Sequence, residues 1–310
     1  MALYSVKFEI ISPLTDIPNS QTVFGTICTF YAMHYGSEEL EKILKQMENE
    51  TFPFIVSSMF YEDMLPTPQN FEIRNIQVAN KEDTKRLKKI KKIKYFSKKV
   101  FKMYKKNPLQ FNSAIYDLIK KQDIIIVNGC LADKTEISKF DYAIIDEMRT
   151  RVKVKTDIDD SLYYNNVLNY FPKGTNLEFH IEIESNELAT KLEELFRKMN
   201  YVSFGGNKSI GYNMFNFKSI EKEEDLKLNE PCMLLSLSIG DDTIDYDNSY
   251  YQLINVNNKF TNSKEAVNRK NVIAFREGSI IKTSKKVIGK VIKESNNDET
   301  TYQNFVGLLI

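Results

Sequence analysis

The chain has 310 residues, of which 42% are hydrophobic; Phe and Tyr are abundant and Trp is absent. No apolar run is long enough to cross a bilayer, and the opening residues MALYSVKFEI alternate as a strand does instead of forming a signal-peptide core. The composition therefore argues against a membrane protein and predicts a globular, cytoplasmic protein of one or two domains.

Charge is distributed unevenly along the chain. The net charge is only +1, but residues 81–106 hold thirteen Lys and Arg against two acids, a local charge of +11. Because the whole chain carries +1, the remaining residues carry −10. This asymmetry predicts a surface that can grip a polyanion and an acidic remainder that can meet protein partners.

The first half of the chain predicts alternating strands and helices. Apolar spacing and capping residues give these elements, in order: a strand at 4–11, helices at 20–35 and 37–47, a strand at 54–61, an amphipathic helix at 81–106, a helix at 112–121 and a buried strand at 124–127. The basic helix could face phosphates, or it could be an ordinary solvated surface. Gly25 costs its helix about 1 kcal/mol relative to Ala, and close approach of a strand or a bound chain would explain it.

A hairpin is predicted at residues 146–172, where basic residues alternate with Thr or Val and a second strand pairs back. Arg149 and Arg151 lie on its first strand. Both could make bidentate phosphate contacts or stack on a base. The alternative is that they are ordinary exposed strand charges.

The stretch at 201–217 reads YVSFGGNKSIGYNMFNF and follows an amphipathic helix predicted at 187–199. Paired glycines permit positive φ and close approach of another backbone, while nearby N–H groups, a lysine and a hydroxyl suit a phosphate. The alternative is a plain turn between helix and strand. The candidate phosphate or RNA cradle consists of Gly205, Gly206, Asn207, Lys208, Ser209 and Gly211.

The predicted elements follow the order strand, helix, strand, long insertion, strand, helix, glycine loop, strand. That is the ferredoxin-like βαββαβ order, which is also the scaffold of RRM domains. We therefore predict a first domain over residues 1–221, with insertions at 81–121 and 146–172 and a glycine-rich loop at 203–213. Short apolar strands separated by polar turns predict a second, smaller, β-rich domain over residues 222–310.

Other chemistries have little support in the sequence. The cysteines Cys28, Cys130 and Cys232 form no CxxC pair, so buried thiols are expected instead of disulfides or metal ligands. The acidic cluster within residues 241–247 lacks the glycine and glutamate spacing of an EF-hand loop. We interpret it as a solvated acidic turn, which could also lie at a protein interface. No nucleotide-binding fingerprint occurs. We predict no metal and no cofactor. The acidic cluster consists of Asp241, Asp242, Asp245 and Asp247.

Several separated motifs resemble one family. The loop SFGGNKSIGYNMF (203–215) resembles the glycine-rich loop of the RAMP superfamily of CRISPR proteins, and NSQTVFGTI (19–27) resembles the start of its first helix. FIVSSMF (54–60), LPTP (65–68) and FREGS (275–279) follow in the family order. The most specific resemblance is to subunit four of the type III-A (Csm) effector complex, a Cas-five-like family.

The sequence departs from the family pattern at three positions. The family often has an acid where Gln21 stands, and further glycines where Ser203 and Asn213 stand. These departures concern the fine geometry of the loop.

The resemblance implies an α+β fold with two ferredoxin-like (RRM-like) domains, a β-hairpin thumb and a helical insertion. It implies a non-catalytic subunit that holds the 5′ handle of the crRNA. The expected protein partners are the large polymerase-like subunit on one side and a backbone subunit on the other. Together with the residue patterns, it nominates these RNA-binding residues: Ser20, Thr22, Gly25, Arg149, Arg151, Phe204, Gly205, Gly206, Asn207, Lys208, Ser209 and Gly211.

Two alternatives remain open. One is the equivalent handle-binding subunit of a type III-B complex. The other is a metal-independent nuclease for precursor crRNA, because some members of the superfamily cleave RNA through attack by the 2′-hydroxyl, which needs a general acid and base. His34 and His180 are the only histidines, and both are expected to be satisfied structural residues. No catalytic residue is therefore assigned.

Overall fold

The computed structural model describes residues 1–73, 80–154, 161–206, 210–224, 226, 231–256, 259–260, 267–268, 270–296 and 299–310. Its α-helices are α1 (Ser20–Tyr35), α2 (Ser37–Glu48), α3 (Lys81–Ile90), α4 (Lys98–Lys106), α5 (Pro108–Lys120), α6 (Ile137–Phe140) and α7 (Asn186–Arg197). Strands before α7 are β1 (Ala2–Ile10), β2 (Phe54–Val56), β3 (Phe60–Tyr61), β4 (Met64–Pro66), β5 (Tyr95–Ser97), β6 (Ile124–Val127), β7 (Cys130–Asp133), β8 (Ile145–Val154), β9 (Ser161–Tyr170) and β10 (Asn176–Ile183). Strands after α7 are β11 (Val202–Ser203), β12 (Met214–Lys222), β13 (Cys232–Met233), β14 (Leu253–Val256), β15 (Lys259–Phe260), β16 (Val267–Asn268), β17 (Val272–Phe275), β18 (Ile280–Ile281), β19 (Val291–Asn296) and β20 (Glu299–Asn304).

The largest sheet is antiparallel and is built around β1 and β10. Its strand order is β11–β12–β1–β10–β2, and β3 also pairs with β10. Alternation along these strands buries Phe8 and Phe179 with α7, whose Phe196 meets the Phe179 ring edge-on at 5.8 Å. The predicted order of strands and helices is observed here, and α1 begins and ends where the sequence predicts.

The first turn of α1 connects distant parts of the chain. Ser20 is only 1% exposed: its backbone N–H donates to Ser58 Oγ (2.9 Å), and its Oγ accepts from Leu237 N (3.0 Å). Next to it, Gln21 bonds both backbone groups of Asn304, accepting from its N–H at 2.9 Å and donating to its carbonyl. Since buried backbone groups need partners, these side chains fix the C-terminal strands against the N-terminal sheet.

The basic segment at 81–106 is not one helix, and that prediction is wrong. Helix α3 ends at Ile90, α4 begins only at Lys98, and β5 lies between them. Strand β5 pairs with β4 on one side and, in parallel, with β7 on the other, in a sheet of order β4–β5–β7–β6. Phe96 is fully buried in this sheet against Phe71. Tertiary packing therefore overrides the helical periodicity.

The strand predicted at 54–61 is split into β2 and β3, because the chain between them turns to other partners. Ser58 N donates to Leu235 O (2.9 Å) and Met59 N to Pro18 O (2.8 Å). Both short strands still pair with β10.

The C-terminal part consists of short antiparallel pairs. β13 pairs with β18, β14 with β17 and β19 with β20. None of the described residues in 231–256, 270–296 and 299–310 forms an α-helix, so the two helices of a second ferredoxin-like domain are not seen in that part. Leu235, Leu308 and Ile310 belong to the same buried cluster as Phe8. One hydrophobic core thus extends across the predicted boundary at residue 221.

A buried polar network also contacts the central sheet. Glu178 on β10 is fully buried, and its Oε2 accepts from Ser5 Oγ at 2.9 Å and from Lys98 Nζ at 3.2 Å. Lys98 also pairs with Glu223. Burial raises the pKa of Glu178 to about 7, although Lys98 and Ser5 act in the opposite direction.

We expect Glu178 to make the stability of the fold depend on pH. The pKa of Glu178 is higher in the folded chain than the ordinary 4.5, so the protonated carboxyl group favours the folded state. Its contribution to the free energy of unfolding is complete below about pH 4.5 and is lost as pH rises through about 7. The free energy of unfolding should therefore fall with pH in this window, by up to about 1.4 kcal/mol per pH unit, relative to Glu178→Gln. Urea unfolding at a series of pH values measures it. Glu184→Gln, exposed just beyond the same strand, is the matched control, and parallel pH profiles for the native chain and Glu178→Gln would contradict the expectation.

Candidate nucleic-acid interface

The glycine-rich loop connects β11 to β12 and presents its backbone to solvent. Gly205 (φ +91°) and Gly211 (φ +79°) lie in the left-handed region. A Cβ on Gly205 would lie 3.2 Å from the methyl group of Thr22, whereas one on Gly206 would have no neighbour within 4 Å. Within the described part of the chain, the exposed amides of Gly205 and Gly206 have no acceptor. They are therefore free to bind an external anion.

Phe204 anchors this loop in the core. It is 1% exposed and packs edge-on against Phe8 (5.2 Å) and Phe215 (5.4 Å). Its ring is thus inaccessible to a base, in contrast to the prediction that it contacts RNA.

Asn213 holds the loop in shape, and the sequence analysis did not select it as a site residue. It lies at φ +57°, a conformation that Asn tolerates better than most residues, which explains how it can stand where the family often has glycine. Its Nδ2 donates to Gly206 O (3.0 Å) and to Thr15 Oγ1 (3.0 Å), and its Oδ1 accepts from Thr15 N (2.8 Å). The side chain therefore fixes the Gly206 carbonyl of the loop against Thr15.

Ser20 and Thr22 were predicted to contact RNA, but their backbone N–H groups at the start of α1 are bound within the chain. Thr22 N donates to Asn19 Oδ1 (3.0 Å) and Val23 N to Asn19 O (3.0 Å), while the Ser20 amide is paired with Ser58. Thr22 instead supports the loop through its contact with the Gly205 position. The helix N-terminus is thus already capped within the chain.

Gly25 lies on the exposed side of α1. A Cβ there would have no neighbour within 4 Å, so no close approach within the described chain requires this glycine. The position is open to an external molecule.

The predicted hairpin is present, with β8 and β9 paired from Ile145 opposite Tyr170 to Val154 opposite Ser161. Arg149 forms two hydrogen bonds with Glu147 (2.8 and 3.2 Å) and one with the Tyr170 hydroxyl (2.8 Å). The pKa of Arg149 is raised mainly by Glu147, with a smaller contribution from Tyr212 of the glycine loop. Arg149, halfway along β8, therefore lies near Tyr212.

Four predicted contacts cannot be placed. Asn207, Lys208 and Ser209 lie outside the described residues, as does the side chain of Arg151.

Tyr201 is a further candidate that the sequence analysis did not select. It precedes the loop, is 71% exposed and has φ +56°, held by a hydrogen bond from its N–H to Asn216 Oδ1 (2.8 Å). An exposed aromatic ring beside free amides can stack on an unpaired base. In the sequence, the signal that could have identified Tyr201 was an aromatic residue two positions before the loop at 203–213.

The two histidines occupy different environments. His180 is fully buried on β10, neither ring nitrogen has a partner among the described atoms, and burial lowers its pKa well below the usual range. It is structural but not satisfied, which corrects the expectation. His34 is exposed at the end of α1, where its Nε2 lies 2.6 Å from Lys198 Nζ.

Two aspartates of the acidic cluster form ion pairs with lysines. Asp241 contacts Lys285 and Asp245 contacts Lys282, and the described residues contain no group of three His, Cys, Asp or Glu side chains that could hold a metal ion. Cys28, Cys130 and Cys232 form no disulfide; Cys130 is buried, and Cys28 and Cys232 are half-buried. In the described part of the chain, every helix is too short or too polar to span a membrane.

Comparison with known proteins identifies the relatives of this chain. No protein-family model matches it. A protein of Methanocaldococcus jannaschii described as "CRISPR system Cms protein Csm4" is 26% identical over 326 residues, covering 92% of this chain and 84% of that protein. The chain is similar to this Csm4 protein over nearly its whole length. This relationship confirms the resemblance inferred from the motifs.

Chains from solved structures of Csm4-containing assemblies share the fold of this chain. One is a chain of the Csm3–Csm4 subcomplex of the type III-A interference complex, with a TM-score of 0.67, 22% identity, and 100% of this chain and 98% of that chain covered. Another is a chain of the Csm1–Csm4 cassette in complex with pppApA, with a TM-score of 0.59, 16% identity and coverage of 100% and 97%. The mixed α and β architecture is therefore shared over the full length.

We expect Asn213 to stabilise the loop through both its backbone conformation and its side chain. Asn213→Ala loses the hydrogen bonds and, with them, the side chain that lets Asn tolerate positive φ, so it should lower the free energy of unfolding by about 2–4 kcal/mol. Asn213→Gly loses the same bonds but tolerates the backbone, so it should be about 1 kcal/mol less destabilising. Urea midpoints measure both. Equal stability of the two variants would refute the backbone argument, and two unchanged midpoints would refute the role of the side chain.

Proposed function

We propose that this chain is a non-catalytic, crRNA-binding subunit of a type III-A CRISPR interference complex, acting in the cytoplasm in antiviral defence. It would hold the 5′ handle of the crRNA. The observation that carries the proposal is the glycine loop, whose free amides at Gly205 and Gly206 face solvent beside the start of α1 in a chain similar to Csm4.

The partner proposal rests on the solved relatives. Their structures contain a Csm3–Csm4 subcomplex and a Csm1–Csm4 cassette. We infer that this chain bridges a backbone subunit of the Csm3 kind and a large polymerase-like subunit of the Csm1 kind. Interfaces with two protein partners agree with the acidic charge outside the basic segment.

The RNA would contact the loop through its phosphates and Tyr201 through a base. The backbone N–H groups of Gly205, Gly206 and Gly211 supply donors that no side chain of their own residue obstructs. The proposed contacts in the sequence between them are Asn207, Lys208 and Ser209. Thr22 and Gly25 would border the path along α1. Ser20 and Phe204 are buried, so they would support the RNA-binding surface from beneath without contacting the RNA.

The hairpin arginines would act at the edge of this path. Arg149 is held by Glu147 and Tyr170, so it could contact a phosphate only with its outer N–H groups or after leaving that carboxylate. Arg151, two residues further along the same strand, remains a proposed contact.

The domain proposal has unequal support in the two halves. The sheet order β12–β1–β10–β2 corresponds to strands four, one, three and two, with α1 after the first strand and α7 after the third. This supports a ferredoxin-like fold for residues 1–221, with the hairpin as thumb. For residues 222–310 the described part contains no α-helix, so only a smaller β-rich domain is proposed there.

The absence of catalysis is also proposed. His180 is too deeply buried to reach an RNA. The Nε2 atom of His34 lies within hydrogen-bonding distance of Lys198 Nζ.

The first test is to express a tagged copy beside its genomic neighbours and to sequence the 5′ ends of the RNA that copurifies, while native mass spectrometry weighs the complex. A uniform repeat-derived 5′ handle in a multisubunit complex is expected. The isolated chain should leave precursor RNA intact. Cleavage that is lost on changing His34 would instead identify a nuclease, copurification with type III-B subunits would assign it to that complex, and no RNA would refute the function.

We expect Gly206→Leu to weaken handle binding without unfolding the chain, because its side chain would point into open space and obstruct the backbone. The affinity of the complex for handle RNA should fall about tenfold, which corresponds to one lost contact of roughly 1.4 kcal/mol. Lys208→Ala should act more mildly and reduce the slope of log K against log salt by about 0.7. Filter binding at several salt concentrations measures both effects. Thr190→Leu, equally exposed on α7, is the control, and retention of full affinity by Gly206→Leu would argue against the cradle.

A further inference from the structure

A cleft of about 400 Å³ opens beside the start of α1, and we call it the α1 cleft. It lies where several parts of the chain meet: the residues before α1, residues 58–60, which lead from β2 into β3, the ends of the segment that joins β4 to β5, Gln252 before β14, and the turn after β17. The residues that matter for its chemistry are Asn19, Gln69, Lys94, Tyr95, Gln252 and Arg276.

Motifs that lie far apart in the sequence converge on this cleft. Asn19 comes from NSQTVFGTI, Ser58 from FIVSSMF, Thr67 from LPTP, and Arg276 with Glu277 from FREGS, and all of them line it. The fifth motif, the glycine loop, is adjacent: Asn19 caps Thr22, whose methyl group touches the Gly205 position. All the stretches that carry the family resemblance therefore surround the first turn of α1.

The walls of the α1 cleft are preformed. Gly278 has φ +86°, and a Cβ there would lie 2.4 Å from Thr67 O, so only glycine lets these two segments meet. Gln69 N then donates to Gly278 O at 2.8 Å. A binding space of fixed shape between rigid segments is typical of a site for a small ligand group.

The charges in the α1 cleft favour an anion. Within the described part of the chain, the exposed ammonium group of Lys94 has no hydrogen-bond or ion-pair partner, and the guanidinium group of Arg276 donates only to Gln252 Oε1, at 3.3 Å. The one carboxylate lining the cleft, Glu277, accepts a hydrogen bond from Ser58 Oγ. Two cations thus remain available for a phosphate.

The other lining groups suit a nucleobase. Gln69 and Gln252 have amide side chains, which both donate and accept, as the edges of a base do. Tyr95 contributes an aromatic ring that is partly buried in the wall. A phosphate with a base fits this combination better than an acidic peptide, which would leave the amides and the ring without a partner.

We propose that the α1 cleft holds one nucleotide of the RNA bound at the glycine loop, with its phosphate on Lys94 and Arg276 and its base against Gln69 and Gln252. This inference rests on the proposed function, and it adds a second contact point for the same strand. The single strand crosses the first turn of α1 between the two sites and turns one base out of its stack into the cleft.

The test uses the assembled complex and handle RNAs that carry 2-aminopurine at one position each. One position should fluoresce strongly because its base is unstacked. Arg276→Gln should weaken binding about tenfold and Lys94→Ala about threefold, and both should quench only that position, because each removes one charge-assisted phosphate contact. Lys92→Ala removes an exposed lysine that does not line the cleft, so its affinity should stay within about twofold.

The outcomes separate this inference from the proposed function. If Gly206→Leu weakens RNA binding while Arg276→Gln and Lys94→Ala match Lys92→Ala, the cleft assignment alone is overturned. If no variant alters RNA binding, the proposed function fails with it. If AMP occupies the cleft and handle RNA does not displace it, the site serves a free nucleotide and the RNA assignment is wrong. Loss of a protein subunit with RNA retained would make the cleft a protein interface and would also overturn the inference.

Discussion

Buried backbone donors need partners, and the first turn of α1 meets this requirement with side chains that also join distant segments. Ser20 links α1 to Ser58 and Leu237, and Gln21 holds the backbone of Asn304 on the last strand. The N–H of Ser20 is bound by Ser58 and that of Thr22 by Asn19, so these two donors at the helix N-terminus are not available to a phosphate. RNA contacts must then come from beside the turn, which is where the free amides of the glycine loop and the cations of the α1 cleft lie.

The sequence predicts best those elements whose signals are local. Helix α1 was predicted with its bounds because Asn19 or Ser20 can cap it and Gly36 ends it, all within one short stretch. The segment 81–106 could not be divided correctly, since Phe96 becomes a strand residue only when β4 and β7 flank it, and Cys130, the partner of Tyr95, lies 35 positions later in the sequence. Pairing over that distance leaves no periodic signal in the segment itself.

The candidate site shows the same division. Gly205 and Gly206 were found because glycine pairs have a direct conformational meaning. Ser20 and Phe204 were assigned to RNA because their residue types suit it, but their direction depends on packing against Leu237 and Phe8. Asn213 could have been found from the sequence: where relatives carry glycine, Asn is the replacement that best tolerates positive φ.

The hairpin of β8 and β9 has a mechanical consequence. Leu14 and Asn169 exchange two backbone hydrogen bonds (3.0 and 2.8 Å) near its base, and Leu168 beside them is fully buried. From Asn169 to Ser161 the strand extends about 27 Å at roughly 3.4 Å per residue. Used as a lever about that anchor, it converts a rotation of about 10° into a displacement of about 5 Å at its far end. Small adjustments at the glycine loop, which Arg149 adjoins, are thereby amplified into a repositioning of whatever the distant end touches.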